Sequence, residues 1–239
     1  MKITILGCYG PYPHPLGGCS GYLIESGSTK LLLDLGNGSL RNYLRLYTVS
    51  DLSAVVLSHL HPDHCSDVFV LRYALEQNGL TIPLYAPKTP QSEFDRLNYK
   101  QAFRIHAEES GLQTRIGDLD LTFLRMQHAV ESYAVKITAN GKTFVYSGDT
   151  GMNDDINNLI RDCDLFLCEA ALIHTSTDKK TFHLTVAQAC KLAVDAHCKS
   201  TVLTHFYPTH TIEQYLEEMK EFTPFADIRL AEENISFTI

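Results

Sequence analysis

The chain is poor in features that would assign it quickly to a class. No apolar run approaches the roughly 20 residues needed to span a bilayer, so no membrane anchor is expected. The start, "MKITILGCYG", has one lysine and a short β-like run, without the long apolar core and small-residue cleavage site of a secretory leader. There is no CxxC pair. The cysteines at 8, 19, 65, 163, 168, 190 and 198 are odd in number and scattered, the pattern of reduced thiols in the cytoplasm rather than of a disulfide framework. Cys163, Cys168 and Cys190 lie in apolar patterns and are expected in the core, and Cys65 is read as packing.

Basic runs are equally scarce. The longest is Lys179-Lys180, in a chain of formal charge −8. Proteins that grip extended nucleic acid draw most of their affinity from phosphate contacts on a basic face, so a long nucleic-acid footprint is not expected. A small phosphate-containing substrate remains compatible with this balance. Low-complexity segments, linkers and charge blocks are also missing. What remains is ordinary for a globular protein: 44% hydrophobic and 20% charged residues in 239. That length can bury a large core, and a single α/β domain over 1–239 is expected.

Strand-like runs occur at 2–6, 21–26, 30–35, 53–58, 119–126, 133–138, 142–148, 164–170, 200–206 and 235–239. Asn140-Gly141 between two of them signals a tight hairpin. Helical periodicity appears at 67–79, 88–98, 185–197 and 211–222. Two halves of similar character suggest sheets packed face to face with helices outside.

The most informative stretch is "LSHLHPDHCSD" (57–67), which places His59, His61, Asp63 and His64 within six positions. The run before it, "AVVLS", reads as a buried strand, so the histidines emerge at its end. Residues two apart in extended chain point the same way, so His59 and His61 can share one metal ion. Pro62 disfavours helix at His61 and turns the chain, giving Asp63 and His64 a new direction and a second target. Ser66 or Asp67 is placed to cap the helix that follows. Two divalent metals need more ligands than these four. His128, Asp149 and His205 each follow a strand-like run, in "MQHAVES", "VYSGDTG" and "TVLTHFYP", and supply them.

This set, HxHxDH followed by His, Asp and His in that order, resembles the metallo-β-lactamase superfamily over essentially the whole chain. The resemblance implies an αββα four-layer sandwich with a two-metal site at one edge. By position, His59, His61 and His128 would hold one metal, Asp63, His64 and His205 the other, and Asp149 would bridge them. Asp34, ending "KLLLDLG", matches a superfamily aspartate that supports the metal-binding loop. Zinc is the default metal for five imidazoles and two carboxylates; manganese or iron accepts the same ligands. By family habit a homodimer is expected.

The segment 168–193 resembles part of ribonuclease Z, where a strand ending in Glu-Ala is followed by a His-Ser-Thr that opens a helix. The matching residues are Glu169-Ala170 and His183-Leu184-Thr185, with Leu184 departing from the pattern. The resemblance implies that His183, held by Glu169, donates a proton to the leaving oxygen, and that Asp63 orients or deprotonates the attacking water. Ribonuclease Z inserts a long basic arm between its third ligand histidine and bridging aspartate. Here only a short hairpin separates His128 from Asp149. The expectation is therefore a phosphodiesterase acting on a small nucleotide or short oligonucleotide. The alternatives are a thioester, lactone or amide hydrolase like glyoxalase II, or a non-catalytic metal-binding scaffold.

A loop at 7–21, "GCYGPYPHPLGGCSG", offers Tyr9, Tyr12 and His14 to a base or sugar, or is a proline-stiffened structural element. His174 is a further candidate to approach the site. His106, His197 and His210 are read as surface or capping residues, and Tyr207 and Pro208 as shaping the loop after His205.

Overall fold

The computed structural model describes residues 1–173 and 181–239; His174 and the Lys179-Lys180 pair fall outside them. The chain first lays down β1 (Lys2–Gly7), β2 (Gly21–Ser26) and β3 (Thr29–Leu35) as an antiparallel meander. It then adds β4 (Ala54–Val56), β5 (Ile82–Ala86) and β6 (Phe103–Ala107) in parallel. The second sheet repeats the scheme. An antiparallel run of β7 (Gln113–Ile116), β8 (Leu119–Arg125), β9 (Tyr133–Ala139) and β10 (Lys142–Tyr146) leads into parallel β11 (Leu165–Glu169), β12 (Thr201–Thr204) and β13 (Ile228–Leu230). A last strand, β14 (Ser236–Thr238), returns to pair with β1, giving two seven-stranded sheets among the described residues.

Parallel neighbours need crossovers, and here these carry helices. In the first sheet they are α1 (Ser39–Leu44), α2 (Pro62–Cys65), α3 (Val68–Gln77) and α4 (Gln91–Leu97). In the second they are α5 (Ile156–Ile160), α6 (Val186–Asp195) and α7 (Ile212–Met219). Alternation along a strand divides the side chains between layers. Leu31 and Leu33 enter the core between the sheets, whereas Leu32 and Leu35 face the outer core with Leu71 and Leu75 of α3. The result is the four-layer αββα sandwich expected from the sequence. All seven cysteines are buried and none forms a disulfide, which places Cys65, Cys163, Cys168 and Cys190 in the interior as read.

The Asn140-Gly141 turn forms as read. Both residues have positive φ, 53° and 73°, the requirement of a type I′ hairpin. Several elements escaped the sequence reading for visible reasons. β5 carries Pro83, which is unusual inside a sheet, and β6 and β7 are polar and partly exposed. β13 is only three residues long. The turn expected at Asp63-His64 is instead the single-turn helix α2, with Pro62 at its first position, where a missing N–H costs nothing. Asp67 begins α3 but does not cap it. Its Oδ2 accepts from Gly38 N and Leu40 N at 2.9 and 3.0 Å, tying the start of α1 to the segment that carries His59 to His64 instead.

No helix among the described residues is long and apolar enough to cross a membrane.

Candidate metal centre

The candidate ligands converge on one edge because the strands that carry them point the same way. Asp34 ends β3, His59 and His61 follow β4, and His128 follows β8. Asp149 follows β10, Glu169 ends β11 and His205 follows β12. In open α/β sheets ligand sites gather outside the carboxyl ends of the strands, and this one obeys that rule from both sheets.

The first cluster is His59, His61 and His128. His61 Nδ1 lies 3.1 Å from both His59 Nε2 and His128 Nε2. The second is Asp63, His64 and His205, with Asp63 Oδ2 3.2 Å from His205 Nε2 and 3.5 Å from His64 Nε2. Asp149 stands between them. Its Oδ2 is 3.7 Å from His59 Nε2 and 3.2 Å from His205 Nε2, and its Oδ1 is 3.4 Å from His64 Nε2. All seven residues singled out in the sequence are thus brought together.

Hydrogen bonds on the far side of three of the rings, His59, His64 and His128, decide which nitrogen faces inward. Phe182 O accepts from His128 Nδ1 at 3.0 Å. Asp34 Oδ2 accepts from His64 Nδ1 at 2.8 Å. Ser58 Oγ donates to Asp34 Oδ2 at 2.8 Å and is 3.1 Å from His59 Nδ1, so Asp34 reaches a second ring through the serine. Asp34 is fully buried, sits at φ 56°, and also accepts from Ser58 N and the Tyr146 hydroxyl. The supporting role read for it fits this position. Sequence reasoning missed Ser58 and Tyr146, although each lies within three positions of a ligand residue.

The donor set fits divalent ions. With Nδ1 of His59 and His128 committed outward, the Nε2 lone pairs of both rings point at His61 Nδ1 at 3.1 Å. Two nitrogens bound tetrahedrally to zinc at about 2.0–2.1 Å would stand roughly 3.3 Å apart. Buried His64 Nε2 and Asp149 Oδ1 have no hydrogen-bond partner, an expensive arrangement for groups that do not serve a cation. Electrostatics point the same way. Burial, reinforced by His64 and the neighbouring imidazoles, holds His59 well below the ordinary imidazole range. For His64 burial acts downward, but Asp149, Asp63 and Asp34 prevail and raise it well above that range. Burial would raise Asp149, yet His205, His64 and His59 keep it well below the carboxylate range. The centre is a concentration of negative charge and lone pairs that calls for positive ions.

Beside it lies the pair matched to ribonuclease Z. His183 Nδ1 is 3.1 Å from Glu169 Oε1 and 3.8 Å from Asp149 Oδ2. Glu169 is fully buried and saturated, accepting from Thr150 N at 2.7 Å and Leu184 N at 3.2 Å. Burial works against charge on His183, but Glu169 and then Asp149 raise its pKa to about 9. Leu184, the departure from the family pattern, is buried in the core and spends only its backbone N–H on Glu169.

Other candidates find quieter places. Tyr9 and His14 stack on each other at 4.9 Å, and Tyr9 bridges to Cys19 and Phe206, which favours the structural reading of the 7–21 loop. That loop still matters. A Cβ on Gly10 would fall 2.1 Å from His205 Nε2, so only glycine lets the backbone pass the ligand. His106 is exposed on Tyr85, and His197 closes α6 at φ 57°. His210 is half-buried and stacked on Tyr207, more enclosed than the surface role read for it.

Comparison with known proteins agrees with this architecture. A family model described as a beta-lactamase superfamily domain matches residues 29–206. The probable metallo-hydrolase YhfI of Bacillus subtilis is 31% identical over 211 residues, covering 86% of each chain. The crystal structure of YhfI, a metallo-beta-lactamase fold protein, superposes with a TM-score of 0.91 at 28% identity over 99% of this chain and 98% of that one. Ribonuclease Z of Salinispora arenicola is 24% identical over 294 aligned positions, covering 97% of this chain and 94% of that one. The alignment is longer than this chain, so the relative contains inserted segments that are missing here. Human tRNase Z, short form, shares the fold with a TM-score of 0.79 at 20% identity, covering 100% and 99%.

Proposed function

Since the chain belongs to the β-lactamase superfamily, we propose that it is a dinuclear metal-dependent hydrolase of small phosphodiesters, such as a small nucleotide or short oligonucleotide. The observation that carries the phosphodiester reading is the Glu169–His183 pair against Asp149. Among the rival substrates a thioester expels a thiolate that needs little help, whereas a sugar alkoxide leaves poorly without a proton.

Divalent ions held by His59, His61 and His128 and by Asp63, His64 and His205, with Asp149 between, would supply an acidified water and neutralise charge at the attacked phosphorus. The protein's own groups do the rest. Asp63 turns Oδ2 toward His205 and His64, while its Oδ1 has no hydrogen bond among the described residues and can orient the water or take its proton. As the phosphorus–oxygen bond to the leaving group breaks, His183 delivers its proton to that oxygen and an alcohol departs. Glu169, buried and fixed by backbone amides, holds the imidazole in place and compensates its charge. Asp34 keeps His64, and through Ser58 also His59, in the ligating orientation.

The short β9–β10 hairpin between His128 and Asp149 and the charge of −8 set this chain apart from a tRNA-processing enzyme. Ribonuclease Z among its relatives supports phosphodiester chemistry at the same kind of site.

The test follows from the leaving group. His183→Ala in the metal-loaded protein should retain its metals and lose at least about tenfold in turnover of a dinucleotide or cyclic nucleotide. Its loss with bis-p-nitrophenyl phosphate should be much smaller, because p-nitrophenolate departs unaided. Equal losses on both would remove His183 as the acid. A wild-type protein that ignores phosphodiesters and cleaves thioesters or lactones would overturn the substrate class. Efficient cleavage of tRNA precursors would refute the argument from the short hairpin.

A further inference from the structure

Two aromatic rings border the site without a part in the chemistry above, Phe182 against His128 and Tyr207 against His183. Phe182 is the chain neighbour of His183 and is 48% exposed although it is a large apolar side chain. Its carbonyl is spent on His128 Nδ1, and its ring lies edge-on to His128 at 6.2 Å. Thr181 Oγ1 donates to His183 O at 2.8 Å, fixing the backbone on either side of the phenyl group. Tyr207 lies edge-on to His183 at 6.1 Å, half-buried, and its hydroxyl has no partner among the described residues.

Tyr207 is held as firmly as Phe182. Its N–H donates to the Tyr215 hydroxyl at 2.9 Å, and that hydroxyl donates to Ala171 O at 3.2 Å. His210 N donates to Tyr207 O at 3.0 Å, closing a turn with Pro208 at its second position, where a fixed φ is favourable. His210 then stacks on the phenol ring at 6.0 Å with an interplanar angle of 15°. Rings kept rigid and partly bare beside a charged centre cost solvation unless something flat covers them, and an aromatic face is the common means of holding a nucleobase.

Position gives the inference a direction. The proton from His183 goes to the leaving oxygen, so whatever that oxygen carries lies next to His183 and hence next to Tyr207, with Phe182 one step further, against the His128 ring that itself lies 5.2 Å from His183. We propose that Phe182 and Tyr207 form a base-recognition subsite that selects phosphodiesters whose leaving alcohol is a nucleoside. This rests on the phosphodiesterase reading. It adds that recognition lies on the leaving side rather than on the retained phosphoryl group.

The experiment is isothermal titration of the full metal-loaded chain with adenosine 5′-monophosphate and, separately, with inorganic phosphate. The variants are Phe182→Ala, Phe182→Leu, Tyr207→Ala and Tyr207→Phe, each with its metal content measured. Wild type should bind the nucleotide at least tenfold more tightly than phosphate. Phe182→Ala and Tyr207→Ala should each weaken nucleotide binding about ten- to hundred-fold while phosphate affinity stays within about twofold. Tyr207→Phe should keep most of the nucleotide affinity because its aromatic face is intact. Phe182→Leu, which retains bulk without a π face and guards against a collapsed Ala variant, should behave like Phe182→Ala. Nucleotide affinity no better than that of phosphate, or variants that weaken both ligands alike, would overturn the subsite. If that occurs while bis-p-nitrophenyl phosphate is still hydrolysed, the subsite alone has failed. If the nucleotide preference holds and no phosphodiester is turned over, the hydrolytic reading has failed and the subsite stands.

Discussion

Replacing Glu108 with glutamine should stabilise the protein, and by an amount that grows with pH. Glu108 directly follows β6, its N–H donating to Ala86 O at 3.0 Å, and its side chain is buried with only 2% exposure. Neither carboxyl oxygen has a hydrogen-bond partner among the described residues. Burial first, and then the nearby charges of Asp34 and Glu131, push its pKa well above the usual 4.5. In the folded protein Glu108 therefore keeps a proton that the unfolded chain has already released. A group of this kind is harmless below the unfolded pKa. As pH rises toward the folded pKa it costs about 1.4 kcal/mol of folding stability per pH unit. Glutamine fills nearly the same volume and cannot ionise, so the variant escapes that slope. For a chain of 239 residues, one kcal/mol corresponds to roughly 2–4 °C in Tm, and the gap between variant and wild type should widen by about 3–6 °C per unit above pH 4.5. Scanning calorimetry of both metal-loaded proteins at pH 5, 6 and 7 measures it, with every other titrating group common to the pair. A gap that stays constant, or narrows as pH rises, would mean that the carboxyl group is charged and satisfied, and the reasoning would be wrong.

Two predictions separate the metal positions. Asp149→Ala removes the carboxylate that reaches toward His59, His64 and His205, and elemental analysis should find both ions lost together; two retained metals per chain would refute its bridging position. Gly10→Ala places a methyl group 2.1 Å from His205 Nε2 and should displace that ring while leaving the His59–His61–His128 cluster intact. The expected metal content is close to one per chain with hydrolysis abolished, and a full complement of two would show that the loop can yield.

The candidate ligand residues were legible because their signal is local and redundant. His59 and His61 sit two apart after an apolar strand, and His128, Asp149 and His205 each follow a strand of their own. Features that depend on a partner distant in sequence were not legible. Asp67 looks like the cap of its own helix, yet it serves α1, 27 residues back. Gly10 is one glycine in a loop rich in them, and only the fold shows His205 against it. Glu108 follows a polar, half-exposed strand, and nothing in "RIHAEES" marks the middle carboxyl as buried while its neighbour Glu109 is exposed.

The helix at Pro62 shows how a local rule can be right in substance and wrong in form. The sequence requires the chain to change direction between His61 and Asp63, because Pro62 bars helix on the preceding residue. A loose turn would satisfy that requirement but leave Asp63 and His64 free to wander. The fold uses proline's other property, a φ already set for the first position of a helix, and starts α2 there. His61, at φ −69° and ψ 145°, ends the extended run that aims the first pair, and one helical turn aims the second. The step from extended to helical backbone at a single residue aims the residues of six consecutive positions at two separate candidate clusters. A helix-compatible residue other than proline at 62 would leave that step unenforced, even with every ligand still in place.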